Sequence, residues 1–308
     1  DTLGPLHGVP LAHKDLFYRA GKIATCASEI RRTMTVDTTS TAVARLEAAG
    51  SITVGGLNMA EFAIGPTGHN PHWGHCRNPW DTDYISGGSS SGSGSAVGGR
   101  CVFGALGSDT GGSIRLPAHF CGVVGLKPTQ TRISRYGAMP VSFSMDCFGP
   151  LARTSRDVAR LMQIAAGYDA QDPTSSRQPV PNYEAALTGD LKGLRVGVPL
   201  NHFYEPGVDA DVERVMRASL DALVAAGAEL VEIQVPDHKL FIDLGTMVTF
   251  VEAAVVHKQW MNERPQDYSP QGLARLELGL GYPATAYLEA LQLRPVLVQD
   301  FIDQVFGV

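Results

Sequence analysis

The sequence has 308 residues, of which 44% are hydrophobic and 18% are charged. This composition is typical of a soluble globular protein with a substantial core, and it favours one domain. The formal net charge is -6 and the lysines and arginines are scattered along the chain, so no surface for nucleic acid is expected. Five widely spaced cysteines predict reduced thiols and a cytoplasmic protein. No apolar run approaches the roughly 20 residues that span a bilayer, so no membrane partner is expected.

Helix and strand patterns follow one another along the first half of the chain. Apolar residues at helical spacing predict a helix over 39–50 that ends at a glycine, and a short strand follows at 52–54. Residues 57–86 lack a clear period and are expected to form an ordered loop region. From Thr154 the T-x-x-D pattern resembles a capping box and predicts a helix that stops at Gly167.

The second half alternates between the two kinds of pattern. A strand is predicted at 194–199, an amphipathic helix at 209–226 and a second strand at 229–235. Two long helices are predicted at about 241–263 and about 284–306, with a proline- and glycine-rich break between them. Strands separated by helices predict an α/β fold.

Two runs dense in glycine and serine stand out, and we name them the first segment (residues 87–99) and the second segment (residues 106–118). Glycine brings no packing atoms, so such runs are not expected to fill a core, and the backbone itself is predicted to be the working surface. In the second segment, Gly111 and Gly112 precede Ser113. Glycines allow successive N–H groups to converge on one point and stabilise an oxyanion, which makes Ser113 the candidate nucleophile. The alternative is a simple turn that caps a helix starting near Ser113.

Other interpretations of these runs have weaker support. Ser90 lies in a G-x-S-x-G pattern typical of a nucleophile elbow, but no buried strand precedes it. Neither run carries a good nucleotide-binding fingerprint. A serine nucleophile needs a base, and Lys14 lies among apolar residues where burial would lower its pKa. An ion pair between Lys14 and Asp15 is the alternative, and His13 is expected to pack beside Lys14.

Three motifs in order carry a family resemblance, GPLHGVPLAHKD, GGSSSGSGSAVG and GSDTGGSIRLPA. Together with SRYGAMPVSFSMDCFGPLARTSRD they resemble the amidase signature family of serine hydrolases, and the likeness covers the whole chain. It implies an α/β fold with a mixed, mostly parallel central sheet flanked by helices on both faces. One domain is expected over 1–308, with a signature core at about 1–170 and a later β-α-β and helical part at about 190–308. Because the chain starts without Met, we expect the fold to be incomplete at both ends.

The resemblance implies a catalytic triad. Ser113 corresponds to the acylated serine, Lys14 to the buried base, and Ser89 to the bridging serine that the family holds after a cis peptide bond. The implied oxyanion hole combines the Ser113 amide with Thr110, Gly111 and Gly112. Asp109 and Arg115 are implied as structural supports.

The resemblance also bears on metals. His69, His72, His75 and Cys76 have spacing that can suit zinc, but most of this cluster matches a loop common in the family. We therefore predict no metal and no cofactor.

The predicted function is hydrolysis of a carboxylic amide of a small molecule by a free-standing amidase. Two alternatives remain open. One is the glutaminase component of an amidotransferase, which passes ammonia to a misacylated transfer RNA with partner chains, although SFSMDCFGPLART looks closer to general amidases. The other is an inactive fragment that acts as a binding module. The acyl group and the oligomeric state, including a homodimer, are left open.

Overall fold

The computed structural model of the protein describes residues 4–203 and 207–307. The chain divides into two compact units. The first unit comprises Asp1–Ala186 with Thr249–Tyr282, and the second comprises Leu187–Val248 with Pro283–Val308. One domain over 1–308 therefore remains a prediction.

The described residues contain seven strands and nine α-helices. The strands are β1 (Pro10–Lys14), β2 (Ile52–Leu57), β3 (Gly104–Asp109), β4 (Val124–Gly125), β5 (Cys147–Ala152), β6 (Arg195–Pro199) and β7 (Glu229–Ile233). The helices are α1 (Thr41–Ala48), α2 (Ser91–Gly98), α3 (Arg115–Phe120), α4 (Ser155–Ala165), α5 (Leu200–Phe203), α6 (Ala210–Ala225), α7 (His238–Glu263), α8 (Pro270–Gly281) and α9 (Ala284–Phe306). Residues 57–86 hold only the end of β2 and one short 3-10 helix, as predicted for an ordered loop region.

Five strands form the central sheet of the first unit in the order β2-β1-β3-β5-β4. β1 pairs in parallel with both β2 and β3, whereas β5 runs antiparallel to β3 and β4. Four of the five strands therefore point the same way, which confirms the predicted mixed, mostly parallel sheet. The carboxyl end of a strand between two parallel neighbours is where α/β sheets commonly bind ligands.

Helices α1 and α4 supply much of the core of the first unit, together with residues of β1 and β5. α4 begins as the capping box predicts, because the Thr154 hydroxyl accepts the Asp157 N–H at 3.1 Å. The chain leaves this helix through Gly167, whose φ is +125°. The amphipathic pattern thus fixes which face of α4 is buried.

The second unit contains the predicted strand-helix-strand arrangement. β6 and β7 pair in parallel over their full lengths, and α6 lies between them in the chain. The carboxylate of Asp209 caps α6 by accepting the Asp211 N–H at 2.8 Å. No residue of α6 is buried.

The prediction of a plain break between the two long helices was wrong, because α8 forms there. Its N-cap Ser269 accepts the Gly272 N–H at 3.1 Å, and Pro270 occupies the first turn, where its missing N–H costs nothing. A Cβ on Gly279 would lie 2.0 Å from the Phe250 carbonyl oxygen. The proline and glycines that suggested a break therefore start this helix and let it pack closely on α7.

Among the described helices, α7 is long and apolar enough to cross a membrane by length and composition. Core helices of soluble proteins meet the same two criteria. α7 carries Glu252 and His257, which are both buried. In the first unit, Glu252 accepts a hydrogen bond from the Ser144 hydroxyl, and His257 lies 2.9 Å from the Tyr268 hydroxyl.

The first segment forms the buried helix α2, so the prediction that such a run would not fill a core was wrong here. A Cβ on Gly92 would lie 2.6 Å from the Asn58 carbonyl oxygen, and one on Gly94 would lie 2.8 Å from the Pro117 carbonyl oxygen. The Ser93 hydroxyl of the same helix donates to the Leu106 carbonyl at 3.0 Å. Small residues thus bring α2 against the backbone of its neighbours.

Candidate active site

Lys14 ends β1, and its side chain is fully buried. Its Nζ donates hydrogen bonds to Ser89 Oγ at 2.6 Å and to Ser108 Oγ at 2.8 Å. An ammonium group has three donors, and within the described part of the chain Lys14 makes no third hydrogen bond. A neutral amine suits two hydroxyl partners, because it can donate to one and accept from the other.

Burial lowers the pKa of Lys14 to about 7, although the charges of Asp109, Asp146 and Cys26 act in the opposite direction. The ordinary value for lysine is about 10.4, so a large share of the amine is unprotonated near neutral pH. The alternative ion pair with Asp15 does not form. The Asp15 carboxylate accepts instead from the N–H and the hydroxyl of Thr25.

The first segment brings Ser89 to Lys14. The Gly88–Ser89 peptide bond is cis, as the resemblance implies, and Ser89 is fully buried. The next residue, Ser90, donates its N–H to the Ser113 carbonyl at 3.2 Å. Neighbouring residues of one segment thus contact the base and the main chain of the candidate nucleophile.

In the second segment, β3 ends at Asp109 and a tight turn follows. The Asp109 carboxylate accepts the N–H groups of Gly112, Ile114 and Arg115 at 2.8, 3.0 and 3.3 Å. The Arg115 guanidinium adds two hydrogen bonds at 3.0 and 2.9 Å. Burial alone would raise the pKa of Asp109, but Arg115 and the amides of Ile114 and Gly112 together lower it. Asp109 therefore caps α3 and fixes the turn that carries Ser113, so the turn-and-cap alternative is also present here.

The turn leaves main-chain donors open beside Ser113. The N–H groups of Thr110, Gly111 and Ser113 have no acceptor among residues 4–203 and 207–307. Gly112 differs, because its N–H is held by Asp109 and its φ of +128° lies in the region that favours glycine. In this structure Gly112 shapes the turn, and the other three amides are the ones available to an oxyanion.

The Ser113 hydroxyl is half-buried and makes no hydrogen bond with any described residue. The Ser89 hydroxyl contacts Lys14, but it makes no hydrogen bond to Ser113 in the described structure. The structure therefore joins Lys14 to Ser89 directly and joins the first segment to Ser113 through the Ser90 N–H. The step from Ser89 to Ser113 stays a prediction.

Ser108 is a site residue that sequence reasoning missed. It lies in β3, is 2% exposed and contacts the Lys14 amine. Strand alternation turns Ser108 and Asp109 to opposite faces, which was a usable signal. The pairing with Lys14 becomes visible only once β1 and β3 are known to be neighbours.

With this geometry established, comparison with known proteins decides the family. The family model described as Amidase matches residues 1–301. The chain belongs to the amidase family. The resemblance seen in the three motifs is thereby confirmed.

Relatives of this amidase-family chain carry two kinds of description. The A-type subunit of the glutamyl-tRNA(Gln) amidotransferase of Geobacter metallireducens is 37% identical over 324 residues, which cover 97% of this chain and 67% of that protein. A solved structure described as an inhibitor-bound vestigial protein complex that reveals the origins of an s-triazine catabolic enzyme superposes with a TM-score of 0.91 at 38% identity, covering 100% of this chain and 65% of that one. A crystal structure of an amidase gives a TM-score of 0.87 at 35% identity, with 100% and 67% covered. The chain thus spans about two thirds of the length of these relatives.

Ser90 of this amidase-family chain is not placed as a nucleophile elbow. Its hydroxyl donates to the Ser108 carbonyl at 3.1 Å and accepts the Ser108 N–H at 3.3 Å. The residue is fully buried. Its side chain therefore holds α2 against β3.

The residues with zinc-like spacing contact separate partners. These are Thr67 for His69, Glu61 for His72, Asn70 for His75 and Ser95 for Cys76. No group of three or more His, Cys, Asp or Glu side chains in the described ranges is arranged to hold a metal ion. All five cysteines lie in those ranges and are free thiols.

His13 packs beside the site, as predicted. Its Nδ1 accepts the Leu106 N–H at 3.3 Å, and its ring meets the Phe17 ring edge-on. Burial, with a smaller effect from Arg19, lowers its pKa to about 3. A neutral, enclosed imidazole is a packing group here.

Proposed function

We propose that this amidase-family chain hydrolyses the C–N bond of a carboxylic amide through an acyl-enzyme on Ser113. The observation that carries the proposal is the buried Lys14 amine, whose Nζ lies 2.6 Å from the Ser89 hydroxyl. An amine with a pKa of about 7 has the proton affinity of an effective general base at neutral pH. Membership of the amidase family supports the reaction class.

In the acylation step, Lys14 takes the proton of Ser89 and Ser89 takes the proton of Ser113. The Ser113 Oγ then attacks the amide carbonyl carbon, and the carbonyl π electrons move to its oxygen. The open N–H groups of Thr110, Gly111 and Ser113 support this oxyanion by donating to it. Relay through Ser89 requires its hydroxyl to reach Ser113 when substrate is bound, and catalytic hydrogen bonds commonly shorten at that stage.

Collapse of the tetrahedral intermediate breaks the C–N bond. The leaving amine takes the relayed proton and departs, and Ser113 is left as an ester. Water then attacks this ester with Lys14 and Ser89 again removing a proton, and the carboxylic acid is released. Two steps replace one difficult displacement, and both use the same three side chains.

We also propose that the substrate is a small-molecule amide that the isolated chain hydrolyses without partner proteins. The solved amidase with a TM-score of 0.87 supports this choice. Glutaminase action within an amidotransferase is the second candidate. It is favoured by the 37% identity to the Geobacter metallireducens protein over 97% of this chain. That candidate requires partner proteins, and glutamine would be the ammonia source.

One experiment tests the acyl-enzyme and separates the candidates. The chain is treated with a fluorophosphonate probe and the labelled peptide is mapped by mass spectrometry, with Ser113→Ala and Ser90→Ala as paired controls. Labelling at Ser113 that only Ser113→Ala abolishes supports the proposal. Labelling at Ser90, or none on a folded chain, contradicts it. Ammonia release from glutamine against release from aliphatic and aryl amides then decides between the two substrates.

A further inference from the structure

The loop of residues 141–146, between the second segment and β5, is closed on itself by a buried carboxylate. Asp146 is 3% exposed. One of its oxygens accepts the N–H groups of Val141 and Ser142 at 2.9 and 3.1 Å. The other accepts the hydroxyl of Thr110 at 2.5 Å. One side chain thus ties this loop to the residue that begins the nucleophile turn.

A second buried carboxylate holds the same loop from α7. Glu252 is 1% exposed and accepts the Ser142 hydroxyl. It also accepts the N–H and the hydroxyl of Ser144 at 3.0 and 2.7 Å. The loop is therefore fixed at both sides, and Asp146 has little freedom to move away from Thr110.

The contact with Thr110 bears on the open amides. Thr110 and Gly111 supply two of the three N–H groups that lack an acceptor in the described chain. Their direction depends on the backbone of Thr110, and Asp146 anchors the Thr110 side chain. Asp109 fixes the far side of the same turn through Gly112. Two carboxylates therefore set the turn from its two ends.

Asp146 also belongs to the charged surroundings of Lys14. The groups acting on the amine are Asp109, Asp146 and Cys26, and all three raise its pKa against the effect of burial. Burial raises the pKa of Asp146, which is opposed by Thr110, by the amides of Val141 and Ser142 and by the charge of Arg135. Asp109 is held by Arg115 and by the turn, so its charge is shared with a cation. Asp146 has no such cation in hydrogen-bond contact among the described residues.

We propose that Asp146 is a positioning residue of this site, which anchors Thr110 and supplies a fixed negative charge toward Lys14. The first role directs the open amides. The second keeps the buried amine basic enough to accept a proton. The consequence for catalysis rests on the proposed acyl-enzyme function, whereas the contacts themselves do not.

The test is Asp146→Asn with two readouts. The amide oxygen of Asn can still accept from Val141 and Ser142, and its NH2 can donate to the Thr110 hydroxyl, so the loop keeps its bonds without the charge. We expect the titration midpoint of the Lys14 amine, followed by 13Cε NMR and assigned with Lys14→Arg, to fall by about one pH unit. We expect kcat for an amide substrate to fall about tenfold.

Glu252→Gln is the matched control, because it removes the same charge from a buried carboxylate that does not contact Thr110. It should leave the Lys14 midpoint within about 0.3 pH unit. An unchanged midpoint in Asp146→Asn, or an equal shift in Glu252→Gln, overturns the proposal. The NMR titration does not depend on turnover. A wild-type midpoint near 10 would reject Lys14 as the base, while the shift between variants would still decide the role of Asp146.

Thr110 supplies a second pair of variants should Asp146→Asn fail to fold. Thr110→Val removes the hydroxyl that Asp146 holds and changes no charge, so kcat should fall about tenfold at an unchanged Lys14 midpoint. Thr110→Ser restores the hydroxyl and should recover most of that loss. Equal rates in the two variants would remove the anchoring role.

Discussion

In the first segment, a Cβ on Gly92 would lie 2.6 Å from the Asn58 carbonyl oxygen, whereas in the second segment a Cβ on Gly111 would meet nothing within 4 Å. The first segment is largely buried and helical, and its missing side chains let α2 touch neighbouring backbone. The second ends in a turn whose amides stay open. The same residue type thus serves close packing in one segment and donor exposure in the other.

The difference teaches that glycine content alone does not say what a segment does. A glycine that removes a steric conflict contributes to stability, and one that uncovers N–H groups contributes to chemistry. The two uses meet where Ser90 donates its N–H to the Ser113 carbonyl. The comparison therefore predicts that variants in the two segments will separate loss of fold from loss of activity.

The largest expected effect comes from Lys14→Met, which removes the amine that the Ser89 and Ser108 hydroxyls share. A buried methionine keeps most of the volume, so the fold should persist. We expect kcat/KM to fall by about 10³ or more because the base is lost. Steady-state kinetics on the folded variant provide the measurement. Retention of the full rate would remove Lys14 from the mechanism.

The same variant should change how stability depends on pH. The folded state binds a proton on Lys14 only below about 7, whereas the unfolded chain does so below about 10.4. Between these values the unfolded state holds the extra proton, so stability rises with pH, by about 4 kcal/mol in total.

Urea unfolding of wild type and Lys14→Met from pH 7 to pH 10 measures this difference. The variant should lack the rise that Lys14 causes. Parallel curves for the two proteins would mean that the buried amine titrates at an ordinary pKa. The rate of amide hydrolysis should follow the same group and fall tenfold per unit below pH of about 7.

The contrast between the segments is tested directly by Gly92→Ala and Gly111→Ala. Gly92→Ala forces α2 away from Asn58, and we expect the free energy of unfolding to fall by about 1–3 kcal/mol. Gly111→Ala adds its methyl to open space, and the change in stability should stay within about 0.5 kcal/mol. Chemical denaturation of both variants decides the matter. Equal losses would show that the two segments do not differ in packing.

The smallest effect is expected from Ser90→Ala. The hydroxyl that holds the Ser108 backbone is lost, and stability should fall by about 1 kcal/mol. The Ser90 N–H to Ser113 remains, so the rate should drop by less than about tenfold. Fluorophosphonate labelling of Ser113 should be kept. Its disappearance would make Ser90 a candidate nucleophile again.

Sequence patterns reached Lys14, Ser113 and α4 because each has a local signal, such as an apolar neighbourhood, paired glycines or a capping box. The cis bond before Ser89 was reached through the family resemblance alone. Ser108 and Asp146 escaped notice because their roles depend on partners far away in the sequence, Lys14 and Thr110. Helices α2 and α8 escaped because glycine-rich stretches have low helix propensity, and close packing outweighs that preference in the folded chain.

The hydrogen bond from the Ser90 N–H to the Ser113 carbonyl has a consequence for design. Neither motif is an independent module, since each supplies part of the other's foundation. Transplanting residues 106–118 onto a foreign sheet would deliver a serine without the neighbour that seats it, and a successful graft would have to move both pieces and the lysine-bearing strand as one block.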